Sequence, residues 1–195
     1  MRGHVKIRRL MMGRVYLFLA DGFEEIEGLT VVDILRRAGI GIQTVSVTGS
    51  RNICGAHEIH VEADVLFEEG DFGDADMLVL PGGMPGTRNL GEHRGLCGLL
   101  REAAGAGRKI AAICAAPSVL GDLGLLEGRD AVCYPGFEDR LKGARVLEED
   151  VVVDGNITTS RGMGTALPFA LKLAEQLVGS HEAVKIGQSV MFLKS

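Results

Sequence analysis

One cysteine stands where a thiol could do chemistry. Lys109–Ile113 is an apolar run that reads as a buried strand, and Ala115-Ala116-Pro117-Ser118-Val119-Leu120 reads as the start of a helix. Pro117 suits the first helical turn, where its missing N–H costs nothing. Cys114 therefore falls on the sharp turn between the two, as the nucleophile does in the strand–turn–helix elbow of hydrolases. The positive end of the helix and its free N–H groups would stabilise a thiolate there. Small neighbours (Ala112, Ala115, Ala116) allow a tight turn. A small buried core residue is the other fate open to a cysteine at this position.

A carboxylate is the second such group. Residues 24–38 carry a helical pattern. At about 100° per residue, Phe23, Val31, Ile34 and Ala38 fall within roughly 40° of Glu27, while Glu25 and Arg36 fall on the opposite side. Glu27 thus points along the apolar stripe. Burial raises a carboxyl pKa, and a protonated Glu27 could donate a hydrogen bond to a thiolate or shuttle protons during addition to a carbonyl. Alternatively, it could curl back to the helix N-terminus. Leu29 and Val32 fall on the charged back of the same helix, which suggests a subunit interface and, by default, a symmetric dimer.

The elements that must position these groups alternate. Strands are expected at Val15–Ala20, Gln43–Val47, Met77–Leu80, Lys109–Cys114, Val151–Val153 and Asn156–Ser160, the last two joined by Asp154-Gly155 as a hairpin turn. A further short pair, Glu58–Val61 and Asp64–Phe67, is expected as a hairpin or an edge. Helices are expected at Glu24–Ala38, Gly91–Ala106, Pro117–Leu123, Thr165–Val178 and Glu182–Val190. Strand–helix–strand alternation with continuous apolar strands implies an α/β fold, a mostly parallel sheet covered on both faces. Ligands of such a fold bind at the C-terminal ends of the strands. Glycines concentrate there, at Gly22, Gly82-Gly83 and Gly162–Gly164.

Composition narrows the function. The chain has 195 residues, 46% hydrophobic and 24% charged, which suits one domain with a full core. We expect residues 1–12, MRGHVKIRRLMM, to be a disordered basic extension, or upstream sequence if translation starts at Met11 or Met12, and residues 13–195 to be a single domain. The basic start resembles a signal peptide, but Val15–Ala20 is too short for the apolar region of one. A net charge of −5 with two tyrosines and no tryptophan argues against nucleic acid. No apolar run approaches the ~18 residues of a membrane span. Cys54, Cys97, Cys114 and Cys133 form no C-x-x-C and no zinc-ligand spacing, and read as free thiols in a reducing cytoplasm. His57-Glu58-Ile59-His60 lacks the H-E-x-x-H frame, and P-G-G-M-P-G (81–86) matches neither phosphate-binding glycine motif.

Five ordered segments carry a resemblance: D-G-F-E-E-I-E-G (21–28), D-I-L-R-R-A-G-I (33–40), L-V-L-P-G-G (78–83), A-A-I-C-A-A-P (111–117) and T-S-R-G-M-G-T (159–165). Together they resemble the ThiJ/PfpI superfamily, in its DJ-one-like branch. The resemblance implies a flavodoxin-like three-layer sandwich, usually dimeric. It implies that Cys114 is a nucleophile, Glu27 its protonated partner, and the backbone N–H groups of Gly83 and Ala115 an oxyanion site beside Gly82. The chain departs from the family at three points. Ala115 stands where the protease relatives have a histidine, which disfavours a cysteine–histidine hydrolase. Tyr134 aligns with a histidine near the cysteine and brings no imidazole. A basic residue expected after Cys54 is replaced around Gly55-Ala56, and the five histidines all fall outside the site motifs. Arg37 is retained and would face a partner subunit. The implied activity is cofactor-free and metal-free chemistry on α-oxoaldehydes or their glycated adducts, of the glyoxalase or deglycase type. The alternative is an oxidative-stress sensor or chaperone that uses oxidation of Cys114.

Overall fold

The computed structural model describes residues 13–194; the basic segment 1–12 lies outside the described residues. In chain order the elements are β1 (Arg14–Leu19), α1 (Glu25–Arg37), β2 (Gly41–Ser46), β3 (Asn52–Cys54), β4 (His60–Glu62), β5 (Val65–Leu66), β6 (Met77–Leu80), α2 (Gly86–Glu92), α3 (Arg94–Gly105), β7 (Lys109–Ile113), α4 (Pro117–Asp122), β8 (Asp130–Ala131), β9 (Arg145–Val146), β10 (Val151–Asp154), β11 (Ile157–Ser160), α5 (Ala166–Val178) and α6 (Ser180–Ser189).

Seven strands form the central sheet in the order β10-β11-β7-β6-β1-β2-β5. All neighbours are parallel except the β10–β11 hairpin. Successive side chains of a strand point to opposite faces, and β1 shows the consequence. Val15, Leu17 and Leu19 enter one core cluster with residues of α1 and α5, while Tyr16 and Phe18 enter a second with residues of α3 and α4. The result is the expected α/β sandwich, with helices on both faces of a mostly parallel sheet.

Three local expectations need correction. The helix expected at Gly91–Ala106 is two helices. The chain breaks at His93, whose extended backbone ends α2 and whose ring accepts the Leu96 N–H at 3.0 Å to cap α3. Segments 58–61 and 64–67 do not pair with each other. β4 instead pairs with the unforeseen β3, whereas β5 is an edge strand beside β2, the other arrangement expected for 64–67. The β10–β11 turn sits at Gly155-Asn156, one residue later than expected, with Gly155 at φ +58°.

Candidate active site

Three loops leaving the C-terminal ends of β1, β6 and β7 meet at Cys114. Its backbone is in the left-handed region, at φ +66°. A non-glycine residue there costs on the order of 1–3 kcal/mol and persists only when its surroundings over-determine it. They do so here. The Cys114 N–H donates to Ser160 O at 2.9 Å, and its carbonyl accepts the Tyr134 N–H at 2.8 Å. The side chain is left 8% exposed at the end of the buried strand.

Glu27 reaches the same place from α1 and is completely buried. Its Oε2 accepts the Gly82 N–H at 2.8 Å. Its Oε1 is buried without a hydrogen-bond partner. Glycine is required at 82, since a Cβ would stand 2.5 Å from the Cys114 Cβ and 2.7 Å from Glu27 Oε2. Gly83 needs its freedom twice: φ is +89°, and a Cβ would collide with the Glu24 N–H group.

Burial pushes the Glu27 carboxyl up to about 7, against the opposing hydrogen bonds from Cys114 and Gly82. The Cys114 thiol is pushed up to about 12, first by burial and then by the charge of an ionised Glu27, while the N–H groups of Gly83 and Ala115 pull it down. The two acids titrate as a pair that favours holding one proton. With that proton on Glu27, the carboxyl ceases to repel the sulfur and becomes a donor to it. An otherwise unpartnered Oε1 fits that arrangement.

Sequence reasoning misplaced Glu25. It is 4% exposed, not on the solvent side of α1. The β3–β4 connection covers it: the His57 N–H donates to Oε1 at 2.8 Å, and His57 Nδ1 lies 2.8 Å from Oε2. Gly55 packs so closely that a Cβ would overlap the carboxylate. Burial alone would raise the Glu25 carboxyl, but the His57 hydrogen bonds outweigh it and hold the group below its usual range. His57 thus belongs beside the site, whereas the motifs had left it out. The contact spans 32 residues, so no local pattern announces it. Among the described residues, Glu24, Glu25 and His57 form the one group whose donor atoms, all within 4.8 Å of one another, could hold a metal ion.

Tyr134 stands at the rim, 43% exposed, with its ring against Gly162. Arg37 is not brought to Cys114 within the chain; it pairs with Asp33 at 2.6 Å, one helical turn away along α1. On the back of α1, Leu29 is 39% exposed as expected, but Val32 is buried in the core cluster that includes Ile53 and Ala63. Cys97 and Cys133 are buried and Cys54 half-buried. Burial pushes the Cys133 thiol up to about 11. Among the described residues no helix is long and apolar enough to cross a membrane.

The carboxyl of Glu27 makes stability depend on pH. The native state keeps a proton that the unfolded chain, with an ordinary value of 4.5, has lost. Stability therefore falls as pH rises from about 4.5 towards 7, by on the order of 3 kcal/mol at most. Glu27→Gln removes this loss. We expect its melting temperature to exceed that of the unmodified protein by several degrees at pH 8 and hardly at all at pH 4.5. Thermal melts followed by circular dichroism check this, and an equal gain at both pH values would contradict it.

The chain is similar to known proteins. The chain is 38% identical over 175 residues to Protein DJ-1 homolog B of Arabidopsis thaliana, covering 89% of this chain but only 40% of that longer protein. It is 33% identical over 158 residues to the glutathione-independent glyoxalase DJR-1.2 of Caenorhabditis elegans, covering 80% of this chain and 83% of that one. The solved structure of oxidised Toxoplasma gondii DJ-1 superposes with a TM-score of 0.89 at 36% identity, covering 92% of this chain and 98% of that one. The model of the DJ-1/PfpI family matches residues 13–176. A cysteine elbow, a buried glutamate and a glycine cradle thus sit on a chain that belongs to the DJ-1/PfpI family.

Proposed function

We propose that the protein converts α-oxoaldehydes, or their early adducts with amines, through the Cys114 thiolate. The observation that carries this reading is the left-handed Cys114 elbow, at φ +66°, facing a fully buried Glu27 across Gly82. The glyoxalase relative from Caenorhabditis elegans supports the substrate class.

The proposed steps balance. The thiolate adds to the aldehyde carbon, an S–C bond forms, and the carbonyl oxygen takes the Glu27 proton. The N–H groups of Gly83 and Ala115 stabilise the oxyanion as it develops. The Glu27 carboxylate then removes the hydrogen from the former aldehyde carbon as a proton, giving an enediolate. A proton passes between the two adjacent oxygens, and Glu27 returns its proton to the neighbouring carbon. Sulfur now carries a thioester. Water hydrolyses it with Glu27 as base, releasing a 2-hydroxy acid and restoring the thiolate and the protonated carboxyl. With an early amine adduct, a hemiaminal, the thiolate displaces the amine: the S–C bond forms as the C–N bond breaks, the departing nitrogen takes the Glu27 proton, and the same hemithioacetal results. Tyr134 forms a hydrogen-bonding wall, and no imidazole takes part.

A second reading is redox sensing. Three donors, the Glu27 carboxyl and the N–H groups of Gly83 and Ala115, face the sulfur and would equally hold the oxygens of a sulfinate. We further propose a homodimer through the back of α1 and the C-terminal segment. Leu29, Arg37 and Met191 line one surface cavity there, and Met191 is 89% exposed.

Lactate formed from methylglyoxal by the purified protein tests the first reading. Cys114→Ala should abolish it, and Glu27→Leu should lower kcat by about 10²–10⁴-fold; full activity in Cys114→Ala sinks the reading. Peptide mass spectrometry after mild peroxide tests the second. Two oxygens added selectively at Cys114, without turnover, would favour sensing, and equal oxidation of all four cysteines would count against it. For the assembly, light scattering should give twice the chain mass, and Leu29→Asp should give a monomer. A monomeric parent protein removes the proposal.

A further inference from the structure

We propose that Glu24, Glu25 and His57 form a binding site for one divalent transition-metal ion, zinc being the best match, that clamps the β3–β4 connection to the start of α1. The site stands beside the Cys114 elbow, and no step of the proposed chemistry passes through it.

Two glutamates adjacent in sequence converge because the backbone changes between them. Glu24 is the extended N-cap of α1, at φ −78° and ψ 116°, and Glu25 is the first helical residue. Inside a helix, neighbouring side chains would diverge by about 100°. The β3–β4 connection brings the third group. His57 Nδ1 lies 2.8 Å from Glu25 Oε2 and 3.7 Å from Glu24 Oε1, and one donor atom from each of the three residues falls within 4.8 Å of the others. Tetrahedral zinc, with nitrogen and oxygen at about 2.0–2.2 Å, sets its ligand atoms about 3.3–3.5 Å apart. The two imidazole–carboxylate separations fall on either side of that value. The His57 side chain is 64% exposed, so an ion and a water in its fourth place can enter from solvent.

Glu24 itself points to a cation. The residue is 6% exposed, yet among the described residues its carboxylate meets no hydrogen-bond donor; His57 Nδ1, at 3.7 Å, is beyond that range. Glu25 is 4% exposed, and among the described residues neither acid is paired with a lysine or an arginine. Two buried carboxylates side by side are unfavourable unless a cation is shared between them. Nδ1 serves Glu25 and leaves Glu24 outside hydrogen-bond reach, whereas an ion at the centre touches all three groups. The imidazole selects the class of ion. Magnesium and calcium favour ligand sets made of oxygen, and zinc and its neighbours accept imidazole nitrogen. Both sides of the site are already held in place. The Ala56 N–H donates to Phe23 O at 2.9 Å, the Gly22 N–H to Cys54 O at 2.8 Å, and the Glu24 N–H to Gly82 O at 2.9 Å. The His57 N–H donates to Glu25 Oε1 at 2.8 Å, which turns Oε2 towards the ring.

The experiment titrates zinc chloride into the full chain, freed of metal by a chelator, against a chromogenic competitor. Cys114→Ser is the reference protein, because a thiol binds zinc by itself. It should take up one zinc per chain, and its melting temperature should rise by about 5–10 °C at a free zinc concentration of about 100 times Kd. His57→Gln keeps a hydrogen-bonding group beside Glu25 and, at an exposed position, should melt close to the reference without zinc. Placed on the Cys114→Ser background, His57→Gln and Glu24→Gln should each weaken zinc binding by about 100-fold or more. Magnesium chloride should give no such rise. Absence of zinc uptake, or uptake in the unmodified protein that disappears in Cys114→Ser, overturns the proposal. Equal zinc affinity in His57→Gln and the reference also overturns it, as does a rise with magnesium equal to that with zinc. None of these readings needs turnover, so absence of lactate would remove the proposed activity and leave this test intact.

Discussion

Two acids share a space that tolerates one negative charge. Glu27 is fully buried, Cys114 nearly so, and an ionised Glu27 makes ionisation of Cys114 more costly. Much of the surrounding architecture follows from holding them in contact. α1 must begin close enough to the sheet for its third residue to reach the elbow. The loop after β6 must pass between them, which excludes a side chain at Gly82. The elbow must stay left-handed, which requires hydrogen bonds to both sides of the Cys114 peptide. A pair so placed resists full ionisation at any pH near neutrality, and the proton they keep belongs to both.

The glycine excess has a local meaning here. Most glycines serve ordinary turns, but Gly82, Gly83 and Gly55 each bring a backbone against a charged or reactive group. Gly82 and Gly83 close the space around the sulfur, and Gly55 lets the β3–β4 connection settle on Glu25. In each case a methyl group would push apart groups that must touch.

Periodicity carried most of the fold because its strands are apolar on both faces and its long helices are amphipathic. β1, β6, β7 and α1 lie within a residue or two of their expected ends. The break at His93 was hidden because an apolar pattern continues across it, and only the ring capping Leu96 reveals a boundary. Cys114 and Glu27 were legible because each violates a local rule, one a cysteine on an elbow, the other an acid on an apolar stripe. Glu25 was misread by the same wheel that found Glu27. A helical wheel knows one buried side, whereas the β3–β4 hairpin closes over a second. The contact of His57 with Glu25 depends on that hairpin, whose strands of three residues are too short to announce themselves.

The slight exposure of Cys114 acts as a sieve. A sulfur on a residue of which only 8% meets solvent is out of reach of a flat protein surface. What arrives there must be slender: a small free molecule, a chain terminus, or the tip of one long side chain extended from a larger body. Any modification on a folded partner would have to stand out from that partner by several bonds before the thiol could touch it. The depth of the elbow thus divides what this protein can meet by shape before any chemistry begins.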